Sequence, residues 1–316
     1  MVSQALGGWS ERWRTTQYVA MAGIGPTHTV IVRKVSDCGD VGRQVEVIDN
    51  ATGQNLVTHS AATGETFTVS PLPSCSNITA VNAEFGVYVA DSLHKKILYL
   101  QSTALSWSEV TSTPGINISK LMIGTSTIYW QDSTGIYMAP RTGGGPRTTL
   151  STAANTYLLG VDYGDAYLQA KVGTQYELRK VVGPNLSVTT LRTQSDPYAS
   201  LSFDENNFYW VENLGTHRLR QMTKSGSSIS TVHSSIEVFY LFPKANNGLL
   251  YWIELDGSTH VSNLRRKNLS NGNHVTVTLP DWDDYQYFTL TPTNTFMLVA
   301  DASPLPAFVG LFRGTL

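Results

Sequence analysis

An all-β chain assembled from repeated four-stranded units is predicted by three observations. A Tyr-Trp pair followed by an acid recurs, as IYWQD at 128–132, FYWVE at 208–212 and LYWIE at 250–254. The recurrence has a period: Tyr88, Tyr129, Tyr167, Tyr209 and Tyr251, with Met297 as a weaker member, stand 41, 38, 42, 42 and 46 residues apart. Between these centres lie short runs of alternating polar and apolar residues, divided by tight polar turns. Such alternation suits strands whose successive side chains face opposite sides of a sheet. Four short strands in each unit of about forty residues, repeated along a chain, is the signature of a β-propeller. The physical reason is closure: a lone four-stranded sheet buries one face poorly, whereas a ring of them buries both faces of every blade against its neighbours.

The units can be taken in order. WSERWRTT at 9–16 alternates, with Trp9 and Trp13 on one side. An irregular first blade over about 17–60 contains HTVIVRK (28–34) and RQVEVID (43–49), and the step from it to the next blade is looser, nearer 58 residues. VYVAD, with Tyr88 and Asp91, centres the second unit, and IYWQD, with Tyr129, Trp130 and Asp132, the third. The unit at 157–193 reads TYLLGVD, AYLQA, YELRKVV and LSVTTLRT. From Tyr198 the pattern is YASLSFD, FYWVE (Tyr209, Trp210, Glu212), RLRQMTK and SSISTVH, with NN, NLGTH and SG as turns. LYWIE supplies Tyr251, Trp252 and Glu254 to the sixth unit. The last unit has only YQYFTLT, TFMLVAD and AFVGLFRG before Leu316. Its missing fourth strand is expected to come from 9–16, closing the ring without a covalent bond. The reading is a single propeller domain over 1–316 with seven blades; six blades with an appended N-terminal region is the alternative.

Composition supports a turn-rich β protein and narrows the function classes. Hydrophobic residues make up 41% and aromatics 10%, enough for a packed core, while charged residues are only 15% against about 25% in ordinary soluble domains. The net charge of −2 offers no electrostatic reason to expect nucleic acid, and the densest basic run, NLRRKNLSNG at 263–272, reads as a solvated hairpin. No apolar run approaches the ~18 residues of a membrane span, so membrane insertion is not expected. The start, MVSQALGGWSERWRTT, lacks the basic and apolar regions of a signal peptide. That leaves a cytosolic protein, or a mature or excised domain behind a starting Met.

Adjacent strand residues face opposite sides, so each Tyr-Trp pair is expected to fill the gaps to both neighbouring blades, at about 150–250 Å² per large aromatic. The acid recurs as Asp91, Asp132, Glu212, Glu254 and Asp301, with Ala170 in its place in the fourth unit. This pattern resembles the propellers of the low-density-lipoprotein-receptor type, which carry a repeated Tyr-Trp-Thr-Asp in the second strand of each blade. The resemblance covers about five of seven blades and some five residues in each, and Thr never follows the Trp. It implies a structural role for the acid, accepting hydrogen bonds at a blade junction, and a binding role for the domain. A catalytic ring of five acids is the weaker reading, because function needs asymmetry and repeated residues are usually scaffold.

Departures from the repeat are where function is sought. Cys38, in SDCGDVG, falls in the turn between the second and third strands of the first blade, and Cys75, in PLPSCSN, in the connection to the next. Such loops share one propeller face, which makes a Cys38–Cys75 disulfide an expectation and points to an extracellular or cell-surface protein. The long stretch SAATGETFTVSPLPSCSN at 60–77 lies on that face too and reads as an ordered binding loop. Five sequons, at Asn50, Asn77, Asn117, Asn185 and Asn268, are what an Asn/Ser/Thr-rich chain gives by chance. His94, His217 and His260 each follow a second strand; the bland reading is exposed turn histidines, the sharper one a metal or acid–base cluster. DWDDYQ at 281–286, with Asp281, Trp282, Asp283 and Asp284, suits an acidic aromatic lip for a carbohydrate or peptide, or is simply a solvated loop. TGGGPR at 142–147 is a strand turn, and no G-x-S-x-G, HExxH or CxxC occurs. The leading expectation is a non-enzymatic module binding an unidentified protein or carbohydrate, with no cofactor and no metal. A propeller enzyme of lyase, lactonase or glycosidase type using the three histidines, and a lectin with one site per blade junction, are the alternatives.

Overall fold

The computed structural model describes residues 9–15, 21–34, 43–60, 77–83, 86–101, 106–115, 117–183, 186–212, 217–235, 238–246, 248–256, 262–278, 284–290, 295–301 and 308–314. Among them, 28 strands form seven four-stranded antiparallel sheets, a β-propeller. Blade 1 holds β2 (Met21–Ile24), β3 (His28–Lys34), β4 (Arg43–Asp49) and β5 (Asn55–Ser60). Blade 2 holds β6 (Ile78–Asn82), β7 (Val87–Asp91), β8 (Lys96–Gln101) and β9 (Ser106–Ser112). Blade 3 holds β10 (Lys120–Ile123), β11 (Thr127–Asp132), β12 (Gly135–Pro140) and β13 (Thr148–Ser151). Blade 4 holds β14 (Thr156–Asp162), β15 (Asp165–Val172), β16 (Gln175–Val182) and β17 (Ser187–Gln194). Blade 5 holds β18 (Ala199–Phe203), β19 (Asn207–Glu212), β20 (His217–Thr223) and β21 (Ile229–Ser235). Blade 6 holds β22 (Val238–Asn246), β23 (Leu249–Asp256), β24 (Ser262–Asn268) and β25 (His274–Thr278).

Blade 7 has β26 (Asp284–Leu290), β27 (Thr295–Asp301) and β28 (Phe308–Gly314), and β1 (Trp9–Thr15) is its fourth strand. The β1–β28 pairing is antiparallel, from Trp9 opposite Gly314 to Thr15 opposite Val309, with a register shift between Glu11 and Trp13. The N-terminal strand therefore closes the ring, as the missing strand of the last repeat required. The first strand of each blade is innermost. These strands touch in sequence, β2 with β6, β10, β14, β18, β22 and β26 in turn, and β26 returns to β2.

The aromatic pair does what alternation dictates. Trp130 packs with Ala90 and Ile97 of blade 2, while its neighbour Tyr129 packs with Leu158, Ala166 and Leu168 of blade 4. Trp210 likewise faces Tyr167 and Leu178 of blade 4, and Tyr209 faces Leu250 and Trp252 of blade 6. Trp130, Trp210 and Trp252 are fully buried. Blades 3 and 5 thus contribute large side chains to two interfaces from one dipeptide, each a large apolar burial.

A second device joins the blades. The Gln131 side chain donates to Thr156 O at 3.3 Å and accepts from Leu158 N at 2.9 Å, gripping the inner strand of blade 4 at two points. Gln169, at the same place in blade 4, accepts from Tyr198 N at 2.7 Å at the start of blade 5. Tyr129 Oη donates to Gly164 O at 2.6 Å, and Lys224 pairs with Asp162 across the blade 4–5 junction.

The basic run at 263–272 lies in the hairpin of β24 and β25, with its turn exposed, but two of its cations have partners. Arg265 Nε lies 2.6 Å from Glu254 Oε2, and Lys267 Nζ donates to Val232 O of blade 5 at 3.1 Å. Alternation along β24 turns part of the run toward the blade interface, where a buried carboxylate draws the guanidinium inward.

Candidate functional site

The spacing of Trp and acid has a direct cause. Residues i and i+2 of a strand share a face, so the acid lies within reach of the indole two positions before it. Trp130 Nε1 donates to Asp132 Oδ2 at 3.3 Å, Trp210 Nε1 to Glu212 Oε1 at 3.1 Å, and Trp252 Nε1 to Glu254 Oε1 at 2.9 Å. A buried indole N–H requires an acceptor, and the repeated acid supplies it. The indole partner is what sequence reading missed, although the constant offset of two residues was its signal.

Each acid has further donors, divided by side-chain length. Asp91 accepts from Asn77 N at 3.0 Å and Leu93 N at 3.1 Å. Asp132 accepts from Gly115 N at 3.2 Å and from Thr134 N and Oγ1 at 2.8 and 2.7 Å. The approach to Gly115 is so close that a Cβ there would stand 2.5 Å from Asp132 Oδ1. Glu212 and Glu254, one methylene longer, reach Arg220 Nε at 3.4 Å and Arg265 Nε at 2.6 Å on the next strand. These guanidinium groups also donate to Thr231 and Thr276 on the outer strands. All four acids are buried and are held in the body of their blades. Asp301 ends β27, opposite Phe308.

His94 closes the turn after β7: its Nδ1 lies 2.6 Å from Asp91 Oδ2, and its backbone N donates to Asp91 Oδ1 at 3.3 Å. His217 begins β20, opposite Ser235, and is buried at 9% exposure. They sit in blades 2 and 5, which do not adjoin, and neither lines the axis. His260, Cys38, Cys75, Asp281, Trp282 and Asp283 lie outside the described residues, as does most of the 60–77 stretch. Asp284 is the first residue of the inner strand β26, opposite Ala300. Among the described residues no group of three or more His, Cys, Asp or Glu is arranged to hold a metal.

The ring encloses an axial channel of about 640 Å³, bounded by the inner strands of blades 1 to 6. Its wall is mostly small and apolar, with Thr79, Asn82, Ser119 and Ser202 as hydroxyl and amide groups and two cations, Lys120 and Lys244. Lys120 opens its strand, whereas Lys244 follows the bulge of β22 two residues before that strand ends. By register Lys244, opposite the repeat Tyr251, is level with Met122, opposite Tyr129, and so stands two residues further along the inner strands than Lys120. Burial holds the Lys120 ammonium below its ordinary pKa. Neither lysine has a hydrogen-bond or ion-pair partner among the described residues, and the described wall includes no acid and no histidine. The arrangement can hold a ligand and orient a negative group; it presents no acid–base pair.

No protein-family model matches the chain, and no characterised relative matches it in sequence. Its similarity to solved structures is one of fold. YCF48, in a structure with bound D1 peptide, matches over 99% of this chain and 99% of its own, at 12% identity and a TM-score of 0.60. Puromycin hydrolase matches over 90% of this chain at 12% identity and a TM-score of 0.63. A prolyl endopeptidase matches over 94% at 11% identity and a TM-score of 0.65. This chain spans about half the length of the last two, 50% and 48% respectively.

Proposed function

We propose that the protein is a non-enzymatic binding propeller that takes a peptide or protein ligand on the face where the blade-to-blade connections enter, over the mouth of the axial channel. The observation that carries this reading is the channel wall: two cations without a described partner among small and apolar residues, with no described acid or histidine to complete a catalytic set. Two further observations support it. Asp91, Asp132, Glu212 and Glu254 are committed to structural hydrogen bonds, and His94 is bonded to Asp91. One structure similar along nearly its whole length, YCF48, holds a peptide, whereas in the hydrolase and endopeptidase about half of each chain has no counterpart here.

The test is selection from a displayed peptide library and a glycan array, followed by anisotropy titration against wild type and Lys120→Glu. The reading requires a selected peptide whose affinity falls at least tenfold in the variant. Selection of glycans alone, or of peptides indifferent to Lys120→Glu, overturns it. The proposal extends to the setting: a Cys38–Cys75 bridge would place maturation in an oxidising compartment. Thiol titration of the denatured protein, before and after reductant, reads this as zero thiols rising to two.

A further inference from the structure

A second cavity lies off the axis, between blades 2 and 3, with a volume of about 280 Å³. Its wall is formed by Tyr88, Tyr99, Ser108 and Glu109 of blade 2 and by Arg141 and Thr142 in the turn that joins β12 to β13. The position is fixed from both sides. Tyr88 and Tyr99 are cross-strand partners with ring centroids 4.7 Å apart, and Tyr99 is opposite Ser108 on the outer strand. On the other side, Arg141 N donates to Ser126 O at 2.8 Å. Gly143, at φ +78°, settles so close to blade 2 that a Cβ would stand 3.2 Å from Val110 O. The turn is therefore seated on its neighbour, and Arg141 is held at the cavity.

The Ser108 hydroxyl donates to Tyr99 O at 3.4 Å and retains its acceptor capacity, while other polar groups here are unspent. Arg141 has no hydrogen-bond or ion-pair partner among the described residues, and neither the Tyr88 nor the Tyr99 hydroxyl has a hydrogen-bond partner there. The acid at the rim, Glu109, is neutralised by Lys96 at 2.7 Å, which leaves the guanidinium as the net charge of the cavity. The comparison with other blades is informative. At the equivalent position Tyr129 donates to Gly164 O, and Tyr209 donates to Asp204 Oδ2 at 2.5 Å. The repeat tyrosine of blade 4, Tyr167, also lacks a hydrogen-bond partner but is enclosed against Phe203 and Phe208, whereas that of blade 2 opens onto space beside an arginine. Arg141 and Tyr99 are half-buried, so the three groups around the cavity, none with a described partner, can be reached from it and offer a recognition surface.

The chemistry of the occupant follows from the wall. A guanidinium fork matches a carboxylate with two parallel hydrogen bonds. Burial pushes the Tyr88 phenol up to about 12, with Arg141 drawing it back in part. That hydroxyl therefore remains a donor and acceptor at neutral pH, and the Ser108 hydroxyl an acceptor. The Tyr rings add a surface for C–H groups. The volume lies just below the ~300–1,000 Å³ typical of drug-sized sites, so the occupant is a small molecule. We propose that this cavity is a binding site for a small polyhydroxylated carboxylate of the sugar-acid class, with Arg141 on the carboxylate and Tyr88, Tyr99 and Ser108 on the hydroxyls. The site is independent of the axial face and of whatever binds there.

The experiment is calorimetric titration and ligand-observed NMR with glucuronate, galacturonate and gluconate, against glucose and inorganic phosphate as separate arms. At least one sugar acid is expected to bind saturably, with glucose and phosphate each at least tenfold weaker. Arg141→Gln, which removes the charge and the guanidinium fork but keeps a polar side chain, is expected to lower sugar-acid affinity at least tenfold, Arg141→Lys less, and Tyr99→Phe several-fold. Circular dichroism and melting of each variant confirm that the ring is intact, and Tyr99→Phe serves if an Arg141 variant does not fold. Three results overturn the assignment: no saturable binding of any sugar acid, glucose or phosphate binding as tightly as the acids, or full affinity in folded Arg141→Gln.

Discussion

Asp132→Asn removes a charge with almost no change in shape, and the structure allows its cost to be worked out. The carboxylate serves two pairs of donors, Trp130 Nε1 and Gly115 N on Oδ2, and Thr134 N and Oγ1 on Oδ1. Whichever way the amide is turned, its NH₂ faces one pair. Asp132 is 7% exposed, so water has little access to replace the lost acceptor. Two buried donors left unsatisfied, at ~1–3 kcal/mol for each such group, give a loss of roughly 2–4 kcal/mol after relaxation. At a specific unfolding entropy of ~2.1 cal/mol/K per residue, that is a fall in Tm of roughly 3–6 °C. The assay is urea unfolding followed by tryptophan fluorescence, reading midpoint and slope together so that a change in the unfolded state is recognised. Glu109→Gln is the control. It breaks an ion pair whose side chains are 40% and 43% exposed, and exposed pairs are worth ~0–1 kcal/mol. A loss for Asp132→Asn no larger than that of the control would refute the argument that the repeated acid is the acceptor that binds the blades.

Other expectations can be checked on the same instrument. Gly115→Ala places a Cβ 2.5 Å from Asp132 Oδ1 and is expected to cost about 1–3 kcal/mol through overpacking. Gly144→Ala meets nothing within 4 Å and bears only the strain of φ +72°, about 1 kcal/mol; equal costs for the two would show that space is not the determinant. Gln131→Ala frees one backbone donor and one acceptor at the blade 3–4 junction and is expected to lower stability by about 1–3 kcal/mol, with faster amide exchange at Leu158 as the local readout. Deleting residues 1–15 removes β1 and leaves β28 as an open edge, a template for intermolecular pairing, so light scattering is expected to show association absent from the full chain. The pH dependence has a defined sign. His233 is held below its ordinary pKa of 6.5 first by burial and then by Arg265 and Lys267, with Glu254 opposing. His274, whose ring centroid is 6.2 Å away, is lowered as well. The unfolded chain therefore binds more protons than the folded one below about pH 6.5, so stability present above that pH falls as the solution is acidified toward the folded pKa. His233→Gln is expected to flatten the urea midpoint between pH 7.5 and 5.5; an unchanged slope counts against the assignment.

The ring was legible in the sequence because closure forces repetition: the aromatic pair must fill two interfaces, and alternation sends Trp130 one way and Tyr129 the other. The odd count of strands at the C-terminus made the closing role of Trp9–Thr15 readable as well. The acid's offset was legible, but its indole partner was not, since hydrogen-bond direction depends on rotamers that periodicity does not encode. Gln131 and Gln169 were missed for a related reason: each stands between a large apolar residue, Trp130 or Leu168, and the acid position, where a polar residue reads as solvent-facing. Neither candidate cavity had a motif. Lys120 and Lys244 lie 124 positions apart in the chain and share a wall only because their strands are both innermost. Arg141 meets Tyr88 only through the seating of one turn on the neighbouring blade, a contact that depends on inter-blade geometry.

Closure through β1 also sets an order of events during synthesis. Thr15 and Phe308 bound the segment that separates the two closing strands, roughly 300 residues, or roughly 15–60 s of elongation at typical rates. Throughout that interval the first strand has been made and its partner has not. Each successive blade can dock on the one before it as it emerges, yet the ring must wait with two unlatched ends until the last strand is released. A nascent chain of this kind exposes an unpaired edge throughout that interval, which makes the time before β28 is made, rather than the finished fold, the stage most open to mispairing and to chaperone capture.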